Sequence, residues 1–203
     1  MTSLSNNLKN LTRHEGSVSE QRRASVLAQK PITVWLTGLS AAGKSTLAYA
    51  LEHALIDAGK ACYVLDGDNL RHGLNANLSF SAEDRAENIR RAAEVASLMN
   101  KAGLIVIAAL ISPLEKDRAM AKHIMGESCF AEVFVNPGLD VCEKRDPKGL
   151  YKKARSGAID NFTGISAPYE APVFPDLVID TGNQPLEGCV AVLFDFVMTR
   201  VAH

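Results

Sequence analysis

No apolar run in the 203-residue chain is longer than the eight residues 104–111, too few to span a bilayer. The first 30 residues lack the apolar stretch of a signal peptide. Glu15 and Glu20 among their basic residues set them apart from an acid-poor transit peptide. No two cysteines stand at C-x-x-C spacing. Cys62, Cys129, Cys142 and Cys189 are scattered, the pattern of reduced, mostly buried thiols in a cytoplasmic protein. The net charge is only −1, so the chain has no global attraction to nucleic acid or to an anionic membrane, and any anion site must be local. Internal repeats and low-complexity stretches are absent. What remains is ordinary for a globular protein, with 47% apolar and 22% charged residues. This length reads as one domain, residues 31–203, preceded by an arm, residues 1–30, that is ordered only if it packs on something.

Against this plain background one stretch stands out. Gly38-Leu39-Ser40-Ala41-Ala42-Gly43-Lys44-Ser45 matches G-x-x-x-x-G-K-[ST]. An apolar run, residues 32–37, precedes it and a helix-period segment follows it. Gly38 and Gly43 let the backbone turn tightly with no Cβ in the way of a phosphate. Free amides at the opening of a helix then favour an anion. Lys44 supplies charge to the β- and γ-phosphates, and Ser45 offers a hydroxyl to Mg²⁺. The stretch says that a nucleoside triphosphate binds. It does not say what receives the phosphate.

Apolar strand-like runs alternate with helical patterns along most of the chain, predicting a mainly parallel five-stranded sheet with helices on both faces: an α/β, three-layer P-loop fold. Strands are expected at residues 32–37, 61–65, 104–110, 130–135 and within 176–180. Leu47, Leu51, Ala54, Leu55 and Ala58 line one helix, with Gly59 as its C-cap. Ser81 and Asp84 resemble a capping box, opening a helix that buries Ile89, Ala93, Ala96 and Met99. Shorter and closing helices are expected at residues 114–125 and 186–201, the last with Val190, Leu193, Phe194 and Val197 inward. Residues 146–175 break the alternation. They are rich in Lys, Arg, Gly and Pro, too long for an ordinary connection, and read as an active-site lid rather than a solvated surface excursion.

Ligands of open α/β sheets lie beyond the carboxyl ends of the strands. Asp66-Gly67-Asp68 follows the second strand. One carboxylate can orient or deprotonate an acceptor hydroxyl while the other helps to hold Mg²⁺; an ordinary Asp-Gly turn is the other reading. Arg71, Arg85, Arg90 and Arg91 come next, suited to a phosphate or sulfate, although Arg91 reads better as part of a solvated, ion-paired helix face. Phe80 suits either the core or a purine-stacking surface. Ser112, before Pro113, can bond a phosphate, act as a nucleophile or cap the next helix, the commonest role of such a serine. No aspartate ends the third strand, so Asp66 and Asp68 stand in for the usual metal-side acid. The segment from Glu143 to Arg155 carries six basic residues against two acidic ones. It suits a lid closing over phosphates. With only Tyr151 interleaved, it does not suit a nucleic-acid surface.

Taken together these residues resemble the adenylylsulfate kinase family. The matching stretches are Trp35 to Ser40, Leu65 to Arg71, Phe80 through Arg85 to Arg91, Ile111-Ser112-Pro113, Asp146 to Arg155, and Phe162-Thr163-Gly164-Ile165, in unbroken order over about residues 30–182. The resemblance implies transfer of the γ-phosphoryl of ATP, with Mg²⁺, to the 3′-hydroxyl of adenosine 5′-phosphosulfate. It implies ATP contacts along Gly38, Leu39, Ser40, Ala41, Ala42, Gly43, Lys44, Ser45 and Thr46 and at Arg145. It places the acceptor on Asp66, Gly67, Asp68, Asn69, Arg71, Phe80, Arg85, Asn88, Ile111, Ser112, Lys148, Leu150, Asn161 and Phe162, with Phe80 and Phe162 sandwiching the adenine. Lys44, Asp66 and Asp68 are the implied catalytic groups, Ser45 and Asp66 the Mg²⁺ side, and a homodimer the implied assembly. Ser112 matches a serine described in the family as a phosphoserine intermediate. Direct in-line transfer is preferred here, because loop and Mg²⁺ suffice without a covalent step. Another small-molecule P-loop kinase, for a sugar, shikimate or a nucleoside monophosphate, fits the paired phenylalanines and the Asp-Gly-Asp-Asn run less well. A catalytically silent nucleotide-binding module has no chemical need for Lys44, Ser45, Asp66 and Asp68 together.

Overall fold

A computed structural model of the chain describes residues 11–202 apart from Arg13 and Glu15; the arm's first ten residues lie outside the described residues. Five strands, β1 (Thr33–Thr37), β2 (Cys62–Asp66), β3 (Ile105–Ala109), β4 (Phe130–Val135) and β5 (Leu177–Ile179), form one sheet in the order β2-β3-β1-β4-β5. Every adjacent pair is parallel. The central strands β1 and β3 are buried along their whole length, the reason that both read as continuous apolar runs.

Two apolar layers explain the helix positions. On one face Val34, Leu36, Ile105, Ile107 and Val133 pack against Leu47, Leu51 and Leu55 of α2 (Lys44–Asp57) and Leu193, Val197 and Val201 of α8 (Leu186–Val201). On the other, Trp35, Leu65, Val106 and Ala108 pack against Ile89, Ala92, Ala93 and Ala96 of α4 (Ala82–Lys101) and Ala121 and Met125 of α5 (Glu115–Met125). Side chains alternate between these layers along each strand, as the pleat requires. Helix ends follow local chemistry. α2 ends at Asp57, after which Gly59 takes φ +72° and the Lys60 amide bonds the Leu55 carbonyl, a Schellman closure. Ser81 caps α4 by accepting from the Asp84 amide at 3.1 Å. The capping box is only half formed, because the Asp84 carboxylate turns to the amide and hydroxyl of Ser79 instead.

The structure adds detail to the sequence reading in three places. A helix, α1 (Glu20–Val26), lies in the arm, and Ala24 buries against the domain. Its attachment is polar: the fully buried Gln29 side chain donates to the carbonyls of Ala61 (2.8 Å) and Gly103 (2.9 Å) and accepts from the Ala61 amide (2.9 Å). Asp66-Gly67-Asp68 is no turn, since Asp66 N-caps a short helix, α3 (Gly67–Arg71). The third concerns residues 146–175. They follow α6 (Leu139–Arg145) and include α7 (Leu150–Arg155), whose Tyr151 and Ala154 enter the core together with Phe162. A solvated surface excursion is therefore excluded, because three of its side chains are core. Among the described residues no helix is long and apolar enough to cross a membrane.

Candidate active site

The loop after β1, Asp66 after β2 and Ser112 after β3 all lie at the carboxyl edge of the sheet. Gly38 leaves β1 so close to β4 that a Cβ there would stand 2.4 Å from the Val135 carbonyl oxygen. The loop then wraps to Gly43, whose φ of +96° starts α2 with no side-chain cap and no acidic residue in the first turn. The first-turn amides are thus left for an anion. Lys44 is buried, and its Nζ donates to the carbonyls of Gly38 (2.9 Å) and Leu39 (2.7 Å). Burial lowers its pKa from 10.5 to about 8, and the nearby Asp66 and Asp68 carboxylates offset only part of that. Arg145 braces the outer side of the loop through the carbonyl of Ala41 and the hydroxyl and carbonyl of Thr181, while Thr181 Oγ1 donates to the Ala42 carbonyl at 2.7 Å.

The two candidate half-sites join at one contact. Ser45 Oγ donates to Asp66 Oδ2 at 2.6 Å, while Asp66 Oδ1 caps α3 through the amides of Asp68 (2.9 Å) and Asn69 (3.3 Å). Asp66 lies opposite Ala109 of β3 in the sheet register, where the usual metal-side acid would stand, so its position fits the substitution expected from the sequence. The more exposed Asp68 pairs with Lys148 from the basic segment. Asn69 Nδ2 donates to the Tyr49 hydroxyl of α2 at 2.9 Å. Asp66 Oδ2 and Ser45 Oγ are hard oxygens at the loop, a donor set suited to Mg²⁺. Among the described residues no three acidic, His or Cys side chains cluster as a cage.

Beyond α3 the arginines separate into two groups. The Arg71 and Arg85 guanidiniums lie 4.4 Å and 5.6 Å from the centroid of the Phe80 ring. Phe80 is 62% exposed, which rules out the core reading. Arg85 also bonds Thr163 Oγ1 (3.2 Å) and the carbonyl of Asn161 (3.1 Å), linking α4 to the middle of residues 146–175. Arg90 and Arg91 instead pair with Glu87, and Arg91 braces the carbonyl of Leu74, so both serve the helix face. Asn88 is buried, and its Oδ1 accepts from Asn75. Phe162 is also buried, with the Tyr151 ring edge-on at 5.0 Å. Leu150 packs on the core at the start of α7.

Ser112 does not cap a helix. Leu114 is the N-cap residue of α5 and makes no side-chain cap bond. The Ser112 hydroxyl is buried, accepting from Trp35 Nε1 at 3.1 Å and facing the Leu110 carbonyl at 3.4 Å. The Ile111 carbonyl accepts from Thr37 Oγ1 at 2.8 Å. Four residues at this edge were given no role from the sequence, although Tyr151 and Thr163 fall within the stretches that resemble the family: Thr181, Tyr151 (whose hydroxyl donates to the Ser40 carbonyl), Thr163 and Tyr169. Only the strand-end position of Thr181, just after β5, was open to inference. A cleft of about 490 Å³ runs between Leu39 of the loop and residues 164–169.

A family model described as adenylylsulphate kinase matches residues 30–180. An adenylyl-sulfate kinase of Shewanella pealeana is 54% identical over 184 residues, covering 91% of this chain and 90% of that protein. A probable adenylyl-sulfate kinase of Halalkalibacterium halodurans is 50% identical over 202 residues, covering 100% of this chain and 97% of the relative. The solved APS kinase CysC of Mycobacterium tuberculosis, in complex with AMPPNP and APS, superposes with a TM-score of 0.80 at 47% identity, covering 83% of this chain and 98% of that one.

Proposed function

Because the chain belongs to the adenylylsulphate kinase family, we propose that it transfers the γ-phosphoryl of ATP to the 3′-hydroxyl of adenosine 5′-phosphosulfate, yielding ADP and 3′-phosphoadenylyl sulfate. The observation that carries the proposal is the Ser45–Asp66 bond, with Asp66 also capping α3. One carboxylate thereby joins the triphosphate loop to the segment that bears Asp68, Asn69 and Arg71. A donor site and an acceptor site then share one edge, as in-line transfer between two nucleotides requires.

ATP lies along residues 38–46, with Arg145 at its border. Lys44 exchanges the carbonyls of Gly38 and Leu39 for the β- and γ-phosphate oxygens, and the anion favours its charged form against the cost of burial. Ser45 and Asp66 would hold Mg²⁺, which when bound neutralises phosphate charge. Arg71 and Arg85 hold the phosphosulfate, and Phe80 stacks on the adenine with Phe162 behind it. Asn88, Ile111, Ser112, Leu150 and Asn161 frame the acceptor. Lys148 leaves Asp68 for the incoming anion as residues 146–175 close over the cleft and exclude water. The 3′-oxygen attacks phosphorus, its proton passes to the Asp66/Asp68 pair, and the β-phosphate oxygen leaves. Ser112 needs no covalent role in this scheme, and its buried bond to the Trp35 ring supports a structural one.

The proposal extends to a cytoplasmic homodimer. Four free cysteines support the reducing compartment. The exposed side chains of Val173 and Phe174 favour burial against a second copy. A sedimentation profile of monomer alone would remove that part. The reaction itself is tested by measuring Mg²⁺-dependent ADP release against a panel of acceptors. Adenosine 5′-phosphosulfate should be turned over in preference to sugars, shikimate and nucleoside monophosphates; preference for one of those would overturn the proposal.

A further inference from the structure

Behind the loop lies a buried polar cluster that the phosphoryl transfer itself does not use. Arg118 of α5 is almost wholly buried. Its Nε donates to Glu132 of β4 at 2.6 Å, and its Nη1 donates to the Ser112 carbonyl at 3.0 Å. That carbonyl belongs to a strained residue: Ser112 has φ +38° and precedes Pro113, which disfavours such a backbone further. Strain of this kind persists only where surrounding contacts over-determine it. Here they do. Thr37, the last residue of β1 before Gly38, donates its hydroxyl hydrogen toward the carbonyls of Ile111 (2.8 Å) and Ser112 (3.3 Å). A hydroxyl carries one hydrogen. The Tyr169 hydroxyl, 3.0 Å from Thr37 Oγ1, must therefore be the donor in that pair. Burial raises the Tyr169 pKa to about 12, which keeps its proton in place.

Tyr169 also ties in the distal part of residues 146–175. Its ring stacks on Phe134 of β4 at 6.0 Å. The next residue, Glu170, bonds the Pro113 carbonyl through its amide (2.8 Å) and the Glu115 amide through Oε2 (2.7 Å). Five residues before Tyr169 the same stretch lies against the loop, since a Cβ on Gly164 would meet Leu39 Cδ2 at 2.8 Å. One buried cluster thus holds three things in register: the corner where β1 becomes the triphosphate loop, the end of β3 beneath Gly67, and the return of residues 146–175 to the sheet edge.

We propose that Arg118, Glu132 and Tyr169 are positioning residues that clamp the Ser112 turn and thereby set the acceptor side of the cleft relative to the donor loop. The clamp rests on the acceptor assignment made above for its kinetic consequence, but its structural consequence can be read without turnover. Trp35 is the single tryptophan, fully buried, with Nε1 on Ser112 Oγ. It reports directly on the turn.

The test compares the full-length wild type with Arg118→Met/Glu132→Met, which removes both charges of the buried pair so that neither is left unpaired. The clamp predicts a folded double variant in which acrylamide quenching of Trp35 rises. It also predicts that kcat with adenosine 5′-phosphosulfate falls by about tenfold to a hundredfold while KM for ATP stays within about twofold. Glu132→Gln alone, which keeps an acceptor for Arg118 Nε, should recover most of the rate. A folded double variant with wild-type quenching and wild-type kcat overturns the clamp, and so does an equal loss in KM for ATP. Should the double variant not fold, Tyr169→Phe decides alone: reduced kcat with unchanged KM for ATP supports the clamp, and wild-type kcat overturns it. Wild-type protein that shows the quenching response in its variants but no turnover of this acceptor would sink the assigned reaction and leave the clamp standing.

Discussion

Replacing Lys44 by methionine should change how the stability of the nucleotide-free protein responds to pH. Lys44 is 8% exposed, and its pKa falls from 10.5 to about 8 because burial penalises the ammonium. Its folded value lies below its unfolded one. Between pH 8 and 10.5 the unfolded chain therefore binds the extra proton, and stability rises with pH across that window. Below about pH 8 the penalty is constant, at about 3.4 kcal/mol for the full shift. Integrating the two titrations from about pH 7.5 to about pH 9.5 gives a gain of about 1.8 kcal/mol from this one group. The two bonds to the carbonyls of Gly38 and Leu39 are also lost in Lys44→Met. Other groups, among them Cys62, raised to about 11 mainly by burial, titrate in both proteins. Such common terms cancel in the change with pH of the difference between the two proteins. Urea unfolding of both proteins across this range, without nucleotide, measures it. The wild type should gain on the variant by about that amount. A difference that stays flat, or falls, would refute the buried, depressed ammonium and with it the picture of a charge waiting for phosphate.

Gly38→Ala should abolish ATP binding while the fold survives, because the added Cβ stands 2.4 Å from a backbone carbonyl and the loop must move; calorimetry should show an affinity loss of about a hundredfold or more, and wild-type affinity would contradict the geometry. Phe80→Ala should leave the melting temperature unchanged, since the ring is 62% exposed, yet raise KM for the acceptor by roughly tenfold from the lost stacking. Gln29→Ala strips three hydrogen bonds, the one to Gly103 buried and the two to Ala61 partly so, and should cost about 2–4 kcal/mol in urea unfolding, with kcat unchanged. An unaltered urea midpoint would show that the arm does not contribute to stability.

Elements that carry their own apolar period were legible from the sequence. β4 and α8 fall on Phe130–Val135 and Leu186–Val201 as read, because strand alternation and helix spacing are local signals. The inward face of α8 shifts slightly: Cys189, Leu193, Val197 and Val201 are buried, while Val190 and Phe194 sit at the margin. The seven-residue α1 was not legible. It buries only Ala24, and the contacts of Gln29 that fix its end reach residues 32 and 74 positions away. α6 and α7 are short and separated by Asp146, Pro147, Lys148 and Gly149, so neither builds a period. At the site, the loop and the residues 66–71 could be read because their chemistry is contiguous. Ser112 misled: a serine before Pro113 at a helix start reads as a cap, and only the distant Trp35 ring shows where its hydroxyl goes. Thr181 and Tyr169 act through pairings across the sheet that no local pattern encodes.

The most direct measurement follows labelled phosphate. Purified protein is given γ-labelled ATP, Mg²⁺ and adenosine 5′-phosphosulfate, and the product is analysed for the position of the label. The account predicts one labelled phosphate on the 3′-oxygen for each ADP released, and none when Mg²⁺ is withheld. Label released to water, label at another position, or transfer only to a sugar or nucleoside monophosphate would contradict it.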